Sequence, residues 1–215
     1  ETYIAMDERG PEDTKATADC VKKFAPRLKI AMPGNQPPSH FKGIELPNYC
    51  QFVAHIDKPF LDEVQARRAQ GQVTTFYVCC GPRRPNTFTF SPTSEQVWLG
   101  YYAAANGLDG FLRWAFVNWP RDPLYDSSFG PWPAGDTFLL YPGPRSSVRW
   151  EMLRDGIEEA EKIRLLRGKG AVGAELNAVL PLFDFKAAEK SDAAVLDALV
   201  ARARAAVDAA ARTMK

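Results

Sequence analysis

Short apolar runs alternate with longer mixed stretches along the first half of the chain. Five of these runs have the length and composition of β-strands that are buried on both faces. They cover Thr2 to Met6, Leu28 to Met32, Cys50 to Ile56, Thr74 to Cys80 and Gly110 to Val117. Because helical stretches lie between them and no polar-alternating hairpin appears, we predict a parallel α/β sheet.

Helix signals separate the predicted strands. Helices are predicted at Pro11 to Ala25 and Pro59 to Gln70, with proline in the first turn, and at Ser94 to Asn106. Beyond the last strand, the pattern predicts a strongly amphipathic helix from Val148 to Arg167 and an alanine-rich helix from Ser191 to Met214. Both are interpreted as packing helices, with a partner-binding helix as the alternative for the second.

The segment between residues 118 and 136 interrupts this rhythm. It is rich in tryptophan and proline, and its length is unusual for a connection inside a compact domain. Loops of this kind usually carry function, so we expect binding residues there. A further extended run is predicted from Thr137 to Tyr141.

Composition and charge narrow the class of protein. The 215 residues are 46% hydrophobic and 12% aromatic, which is enough for a globular core. Lys and Arg total 27 against 26 Asp and Glu, so no net field favours nucleic acid or an anionic membrane. No apolar run reaches the roughly 20 residues that span a bilayer, so membrane insertion is not expected.

Cysteine and histidine are too few for a metal centre or a disulfide scaffold. The chain has four cysteines without a CxxC spacing and two histidines, so neither a metal nor another cofactor is expected. The adjacent Cys79 and Cys80 are interpreted as two buried, reduced thiols, because a disulfide between neighbours closes a strained ring.

Adjacent carboxylates follow the first predicted strand. Asp7 and Glu8 stand where a parallel strand would end, and parallel α/β folds assemble their active sites at that edge. From position alone, the alternative stays open that Asp7 caps a turn and Glu8 is merely solvated.

Polar and aromatic residues follow three other predicted strands. Asn35 comes after the second, Tyr77 lies near the end of the fourth, and Trp114 and Asn118 lie in the fifth and just beyond it. Aromatic rings stack on the apolar faces of sugars, while amides and acids bind the hydroxyls. The combination therefore indicates a site for a carbohydrate or another small polar ligand. Individually, Asn35 is also compatible with a turn and Trp114 with a core position.

Long motifs in a fixed order give a more specific indication. They read YIAMDER, KIAMPGN, TTFYVCC, PNTFTFS, GFLRWAFVNW, DPLYDSSF, PAGDTFLLYPG and RSSVRWEMLRDGIEEAEKIRLLR. With these motifs, residues 1–167 resemble the catalytic domain of glycoside hydrolase family 123, the retaining β-N-acetylgalactosaminidases. The chain departs from the family pattern at Gln36, Pro37 and Pro38 and in the basic GPRR loop after Cys80, and both departures concern the outer subsites.

The resemblance implies a (β/α)8 TIM-barrel fold of the α/β class. Asp7 and Glu8 would follow the fourth strand of that barrel, so the chain would contain its later part, the fourth to eighth strands, with C-terminal helices. Residues 1–167 would form this part of the catalytic barrel, and residues 168–215 a helical extension packed on it. Since only six residues precede Asp7, we expect the earlier strands to be needed for activity, in cis or in trans.

The resemblance also implies a substrate and a reaction. The substrate would be an oligosaccharide or glycolipid glycan with a terminal β-linked N-acetylhexosamine, with N-acetylgalactosamine preferred. Glu8 would act as general acid and base. Asp7 would orient the 2-acetamido group of the substrate, whose carbonyl attacks the anomeric carbon to give an oxazoline.

The remaining site residues have binding roles by the same resemblance. Tyr77 would hydrogen-bond the acetamido oxygen, and Trp114 would pack against the acetamido methyl group. Sugar hydroxyls would be bound by Asn35, Asn118 and Asp136.

Two alternatives remain for the function. One is a non-catalytic carbohydrate-binding barrel, and the other is a conventional glycosidase with two carboxylates, whose nucleophile lies elsewhere. The residues contain no recognisable signal peptide, and only the resemblance makes a secreted or periplasmic location plausible.

Overall fold

A computed structural model describes residues 2–143 and 145–213. This part of the chain contains five β-strands, seven α-helices and three short 3-10 helices, joined by loops. The strands are β1 (Tyr3–Ala5), β2 (Lys29–Gly34), β3 (Asn48–Phe52), β4 (Val73–Val78) and β5 (Phe111–Arg113). The α-helices are α1 (Pro11–Phe24), α2 (Lys58–Ala69), α3 (Thr93–Asn106), α4 (Val148–Gly168), α5 (Ala174–Val179), α6 (Phe185–Glu189) and α7 (Ala193–Arg212).

The chain divides into two units. Unit 1 holds residues 2–77 and 107–112, and it contains nearly the whole β-sheet together with α1 and α2. Unit 2 holds residues 78–106 and 113–213, and it contains the other five helices.

The five strands form one sheet in the order in which they occur along the chain. Parallel pairing places Tyr3 beside Lys29, Ala31 beside Asn48, and Asn48 in turn beside Val73. In a doubly wound sheet the strand order reverses at a switch point, whereas a barrel adds its strands successively. The unbroken order is consistent with part of a TIM-barrel-like fold and confirms the α/β prediction. The numbering of these strands as fourth to eighth stays a prediction.

The core of unit 1 explains why β2 is a strand. Ile30 and Met32 alternate with more accessible residues, and both pack in a buried cluster with Phe41, Leu46 and Tyr49. This period of two buries one side of the strand while its backbone pairs with strands on both sides.

Unit 2 is built on a close contact between α3 and α4. A Cβ added at Gly100 of α3 would lie 2.0 Å from the Gly156 carbonyl oxygen of α4, so the two helices touch at backbone distance. Glycine at both positions permits that approach, at a cost in helix propensity. The later α5 and α7 also pack in unit 2, where α7 contacts α3, α4 and α5. A domain boundary after residue 167 stays a prediction.

Several predicted strand ends are displaced. The third predicted strand begins earlier, at Asn48, and the chain turns into the 3-10 helix Val53–His55. The fifth ends at Arg113 instead of Val117. The extended run from Thr137 to Tyr141 is wrong as a strand, because only isolated bridges form there. The run is apolar because Phe138 and Leu139 are core residues, and both are fully buried.

The last two predicted helices are present with smaller differences. The buried side of α4 includes Arg149, Gly156 and Glu159, so the expectation of a strongly amphipathic helix is wrong in part. The alanine-rich helix α7 begins at Ala193, and the predicted end at Met214 lies outside the described residues. The short α5 and α6 were not predicted, because each is below the length at which periodicity is informative.

The adjacent cysteines are not both buried, so that part of the prediction is wrong. Cys79 is half-buried and Cys80 is exposed, and their sulfurs lie 3.9 Å apart without a disulfide between them. Between residues 2 and 213, Pro144 aside, none of the helices is both long and apolar enough to span a membrane.

Candidate active site

Glu8 lies just beyond the carboxyl end of β1. The hydrogen bonding of the strand continues to Met6, whose N–H donates to the Ala31 carbonyl at 2.9 Å, and the chain then leaves the sheet. Glu8 is exposed and has a φ of 27°, the one positive φ at a non-glycine residue in the described part of the chain. Such a conformation costs about 1 to 3 kcal/mol and persists where surrounding groups hold it.

Side chains from two other strand ends bind the Glu8 carboxylate. The Tyr77 hydroxyl donates to Oε1, and the Asn35 amide donates from Nδ2 to Oε2 at 3.2 Å. The Tyr77 hydroxyl oxygen also lies 3.2 Å from Asn35 Oδ1, so the three side chains form a closed cluster. They come from the segment just after β1, the turn after β2, and β4, at the edge where parallel sheets assemble their sites. The structure thus brings together three predicted site residues within unit 1.

Tyr77 and Asn35 are held by rigid surroundings. Tyr77 is only 5% exposed, and its ring packs against Phe52 with centroids 5.2 Å apart. Asn35 follows Gly34, where an added Cβ would lie 1.9 Å from the Tyr49 hydroxyl oxygen. The turn that carries Asn35 therefore requires glycine at that position.

Tyr49 and Gln51 of β3 secure the same turn. The Tyr49 hydroxyl donates to the Gln36 carbonyl at 2.5 Å, and the Gln51 amide donates from Nε2 to the Gly34 carbonyl at 3.2 Å. Burial raises the pKa of Tyr49 well above its ordinary value, so the hydroxyl remains a donor. Sequence reasoning missed both residues. The available signal was Gln51, a polar residue inside the run predicted to be buried, whose amide must find partners there, whereas Tyr49 lies just before that run.

Asp7 has neighbours that differ from those of Glu8. It is exposed and lines a cavity of about 630 Å³ together with residues of β1 and α1, Asp13 among them, and with Arg9 from the segment between these two elements. Glu8 instead contacts side chains at the ends of β2 and β4. The joint action of the two carboxylates on one substrate stays a prediction.

Trp114 lies one residue beyond β5, in unit 2. Its side chain is 44% exposed, and its ring meets that of Trp132 edge to face, with centroids 5.3 Å apart. Sequence reasoning named Trp132 only as a member of the tryptophan-rich loop. Its contact with Trp114 joins positions that no local pattern connects.

Asn118 and Asp136 occupy different environments in unit 2. Asn118 is exposed, and its backbone N–H donates to the Thr137 carbonyl at 3.0 Å. Asp136 is fully buried, with Oδ1 2.5 Å from Nη2 of Arg113, which also donates to the Asp136 backbone carbonyl. Sequence reasoning missed Arg113, although an arginine in an apolar strand requires a partner.

Burial and pairing act against each other in the Arg113 and Asp136 ion pair. Burial raises the pKa of Asp136 above its ordinary value, and the guanidinium opposes that rise. Burial likewise lowers the pKa of Arg113, and the carboxylate opposes that fall. Asp136 Oδ2 and Arg113 Nε find no further partner among the described residues.

The described residues contain no group of three or more His, Cys, Asp or Glu side chains that could hold a metal ion. The candidate site residues supply carboxylate, amide, phenol and indole groups. In unit 1, the carboxylate at the end of β1 is suited to acid and base chemistry, and in unit 2 the exposed indoles are suited to contact with the apolar face of a ring-shaped ligand.

Comparison with known proteins agrees with this class of site. The family model for the catalytic domain of glycoside hydrolase 123 matches residues 1–166. The chain therefore belongs to glycoside hydrolase family 123, which confirms the resemblance. No curated protein matches the chain.

Solved structures show the same fold. Thirteen chains match, among them a family 123 glycoside hydrolase from Clostridium perfringens studied for glycolipid glycan hydrolysis. The TM-score is 0.79 at 23% sequence identity, and the match covers 98% of this chain. The chain spans 40% of the length of that relative.

Proposed function

We propose that the protein is a glycosidase that releases terminal β-linked N-acetylhexosamine, with N-acetylgalactosamine preferred, from oligosaccharides or glycolipid glycans. The observation that carries this proposal is the geometry of Glu8, an exposed carboxylate with a strained backbone, held by Tyr77 and Asn35 at a strand end. Family membership and the glycolipid glycan hydrolysis studied in the Clostridium perfringens relative support the substrate class.

In the first step, protonated Glu8 gives its proton to the glycosidic oxygen as the bond from that oxygen to the anomeric carbon breaks. The carbonyl oxygen of the 2-acetamido group forms the new bond to the anomeric carbon, and an oxazoline results. Asp7 accepts a hydrogen bond from the acetamido N–H and stabilises the positive charge that develops on nitrogen, so the oxazoline is held as its N-protonated oxazolinium ion. The leaving alcohol departs with the proton of Glu8.

In the second step, the Glu8 carboxylate takes a proton from water as the water oxygen attacks the anomeric carbon. The bond from the anomeric carbon to the acetamido oxygen breaks, and the acetamido group is restored. Two inversions at the same carbon give net retention. Tyr77 and Asn35 keep the carboxylate oriented in both steps, since they bind its two oxygens.

Substrate assistance is favoured because Asp7 and Glu8 are consecutive. Conventional retaining glycosidases place two carboxyl groups about 5 to 5.5 Å apart on opposite sides of the scissile bond. Two consecutive residues at one strand end are poorly placed to flank a sugar ring. The acetamido group supplies the nucleophile that the arrangement lacks.

The remaining roles are assigned by accessibility. Exposed Asn118 is proposed to bind a sugar hydroxyl, and exposed Trp114 to pack against the acetamido methyl group. Asp136 was expected at a hydroxyl as well. Because its carboxylate is fully buried, we propose an indirect role for it instead.

The mechanism is tested with matched aryl N-acetyl- and N-trifluoroacetylgalactosaminides. Fluorination weakens the carbonyl nucleophile, so the rate should fall steeply, and a thiazoline that mimics the oxazoline should inhibit. An unchanged rate with the fluorinated substrate and no inhibition would indicate a conventional nucleophile. Binding of the sugar without turnover of either substrate would indicate a non-catalytic carbohydrate-binding barrel.

The proposal includes a need for further barrel strands, in cis or in trans. The 215 residues should be compared with a longer natural chain that contains them, by size-exclusion chromatography and hydrolysis of an aryl N-acetylgalactosaminide. Full activity from a monomer of the 215 residues alone would contradict this part of the proposal.

A further inference from the structure

Exposed tryptophans are concentrated in one segment of unit 2. Trp98 is fully buried, whereas Trp114, Trp119 and Trp132 are 44%, 39% and 36% exposed. Trp119 donates its indole N–H to the Leu140 carbonyl at 2.7 Å. Trp114 and Trp132 instead contact each other, with ring planes at 64°. Two contacting indoles that are both open to solvent form a contiguous apolar patch, and such a patch indicates a binding surface more strongly than a single exposed side chain does.

The buried ion pair joins the two segments that carry these rings. Arg113 directly precedes Trp114. Asp136 ends the turn that follows Trp132, and its N–H donates to the Pro133 carbonyl at 2.9 Å. Arg113 therefore binds the Trp132 turn through the side chain and the backbone carbonyl of Asp136, and it also donates to the Val78 carbonyl at 3.0 Å.

We propose that Trp114 and Trp132 form an aromatic corner, in which Trp132 stacks on the apolar face of a pyranose ring while Trp114 packs against its acetamido methyl group. Arg113 and Asp136 are positioning residues that set the angle between the two rings. The identity of the ligand as a sugar rests on the proposed function, whereas the coupling between ion pair and corner rests on the contacts within unit 2.

A buried ion pair is a costly way to hold two segments together. Apolar residues of similar volume usually stabilise a fold as well, so stability alone does not account for Arg113 and Asp136. A ring that stacks on a sugar needs a fixed orientation, because a tilted indole loses contact over much of its face. The directional bonds of the guanidinium supply that orientation.

The corner is tested by titrating the protein with N-acetylgalactosamine, a monosaccharide that the enzyme cannot cleave, and following intrinsic fluorescence and calorimetry. Trp132→Ala should weaken binding roughly tenfold, and Trp132→Phe by less, since one aromatic ring face is worth about that factor. Tyr125→Ala is the matched control, because Tyr125 is 90% exposed in the same loop. Equal affinity in the parent and both Trp132 variants would overturn the proposal.

The positioning role is tested by coupling. Asp136→Ala should weaken sugar binding in the parent but cause no further loss in a Trp132→Ala background, although it lowers Tm in both. The near-ultraviolet circular dichroism of the paired indoles should change in Asp136→Ala as it does in Trp132→Phe. Additive losses of affinity with an unchanged indole signal would overturn the positioning role. If Asp136→Ala does not fold, Arg113→Lys takes its place, because lysine keeps the charge but cannot reproduce the forked contacts.

The outcomes separate this inference from the proposed function. Sugar binding that depends on Trp132 in a protein without hydrolase activity would keep the corner and remove the proposed function. Hydrolysis and sugar binding that are both unaffected by Trp132→Ala would keep the proposed function and rule out the aromatic corner.

Discussion

At the end of β1, exposed Glu8 accepts hydrogen bonds from Tyr77 and Asn35, whereas in unit 2 fully buried Asp136 is bound by Arg113. The same resemblance assigns both carboxylates to the site, yet their surroundings differ in every respect that matters for chemistry. An exposed carboxylate can also bind a ligand at little cost. A buried one leaves an unpaired guanidinium behind whenever it moves.

The contrast between the surroundings of Glu8 and Asp136 separates a candidate catalytic residue from a structural one. The backbone strain at Glu8 is local, and side chains that can also contact a substrate hold it in place. The Asp136 carboxylate instead accepts a hydrogen bond from Arg113, which lies in the same unit. We therefore expect changes at Glu8 to affect rate with little effect on folding, and changes at Asp136 to affect folding first.

The largest effect is expected for Glu8→Gln. Hydrolysis of glycosides with poor leaving groups should fall about 10²- to 10⁴-fold, because they depend on protonation, while activated aryl glycosides should lose less. The free energy of unfolding should change by less than about 0.5 kcal/mol, since the side chain is exposed. Steady-state rates on both substrate types and denaturant unfolding check this. Equal losses on both substrates would argue against Glu8 as the acid.

Asp136→Ala should have the reverse profile. Removing one partner of the buried pair should lower the free energy of unfolding by about 3 to 5 kcal/mol, because Arg113 is left buried and uncompensated. Asp122→Ala, at an exposed aspartate between Asn118 and Asp136, is the control and should leave stability almost unchanged. Denaturant unfolding measures the free energy of unfolding of the two variants. Equal values would contradict the prediction.

Asp7→Asn should lower the rate by about 10²- to 10³-fold even for activated leaving groups. Formation of the oxazoline requires charge stabilisation whatever group departs, and the amide supplies less of it. Rates on a series of aryl N-acetylgalactosaminides provide the measurement. A loss confined to poor leaving groups would place Asp7 in the protonation step instead.

Tyr77→Phe should lower the rate roughly tenfold or more, because a hydrogen bond to a charged group is worth about 1.5 to 3 kcal/mol. The ring remains to pack against Phe52, so the fold should be retained. Tyr101→Phe is the matched control, since its hydroxyl donates to the Glu159 carboxylate in unit 2 instead of Glu8. Comparing kcat for the two variants checks this, and similar values would show that Tyr77 has no special role.

The smallest effect concerns pH. Because burial raises the pKa of Asp136, the folded state holds its proton more tightly than the unfolded state. The resulting stability is present below the unfolded value of about 3.9 and is lost as pH rises through the folded pKa. The free energy of unfolding, relative to Asp136→Asn, should therefore fall as pH rises through that window. Unfolding curves at several pH values test the sign, and a rise would show that Arg113 outweighs burial.

Local sequence patterns were sufficient to predict the layout of unit 1. Alternating apolar runs and helix-start prolines are local signals, so they placed the parallel strands and α1 and α2 with small errors at the ends. The same order placed Glu8, Asn35 and Tyr77 at strand ends, because the carboxyl ends of parallel strands share one edge. Ordered motifs supplied the family.

Which of those residues touch and which are buried depends on tertiary packing, which local patterns do not contain. The bond from Tyr77 to Glu8 depends on the register of β1, β2, β3 and β4 together, and no local pattern encodes a register. The run from Thr137 to Tyr141 looked like a strand because burial and pairing both select apolar residues, and only packing separates them. The contacts of Asp136 with Arg113 and of Trp132 with Trp114 likewise depend on packing between positions that are distant in the sequence. Contacts between distant positions arise when the chain collapses, and the free energy of that collapse decides whether a carboxylate faces solvent or an arginine.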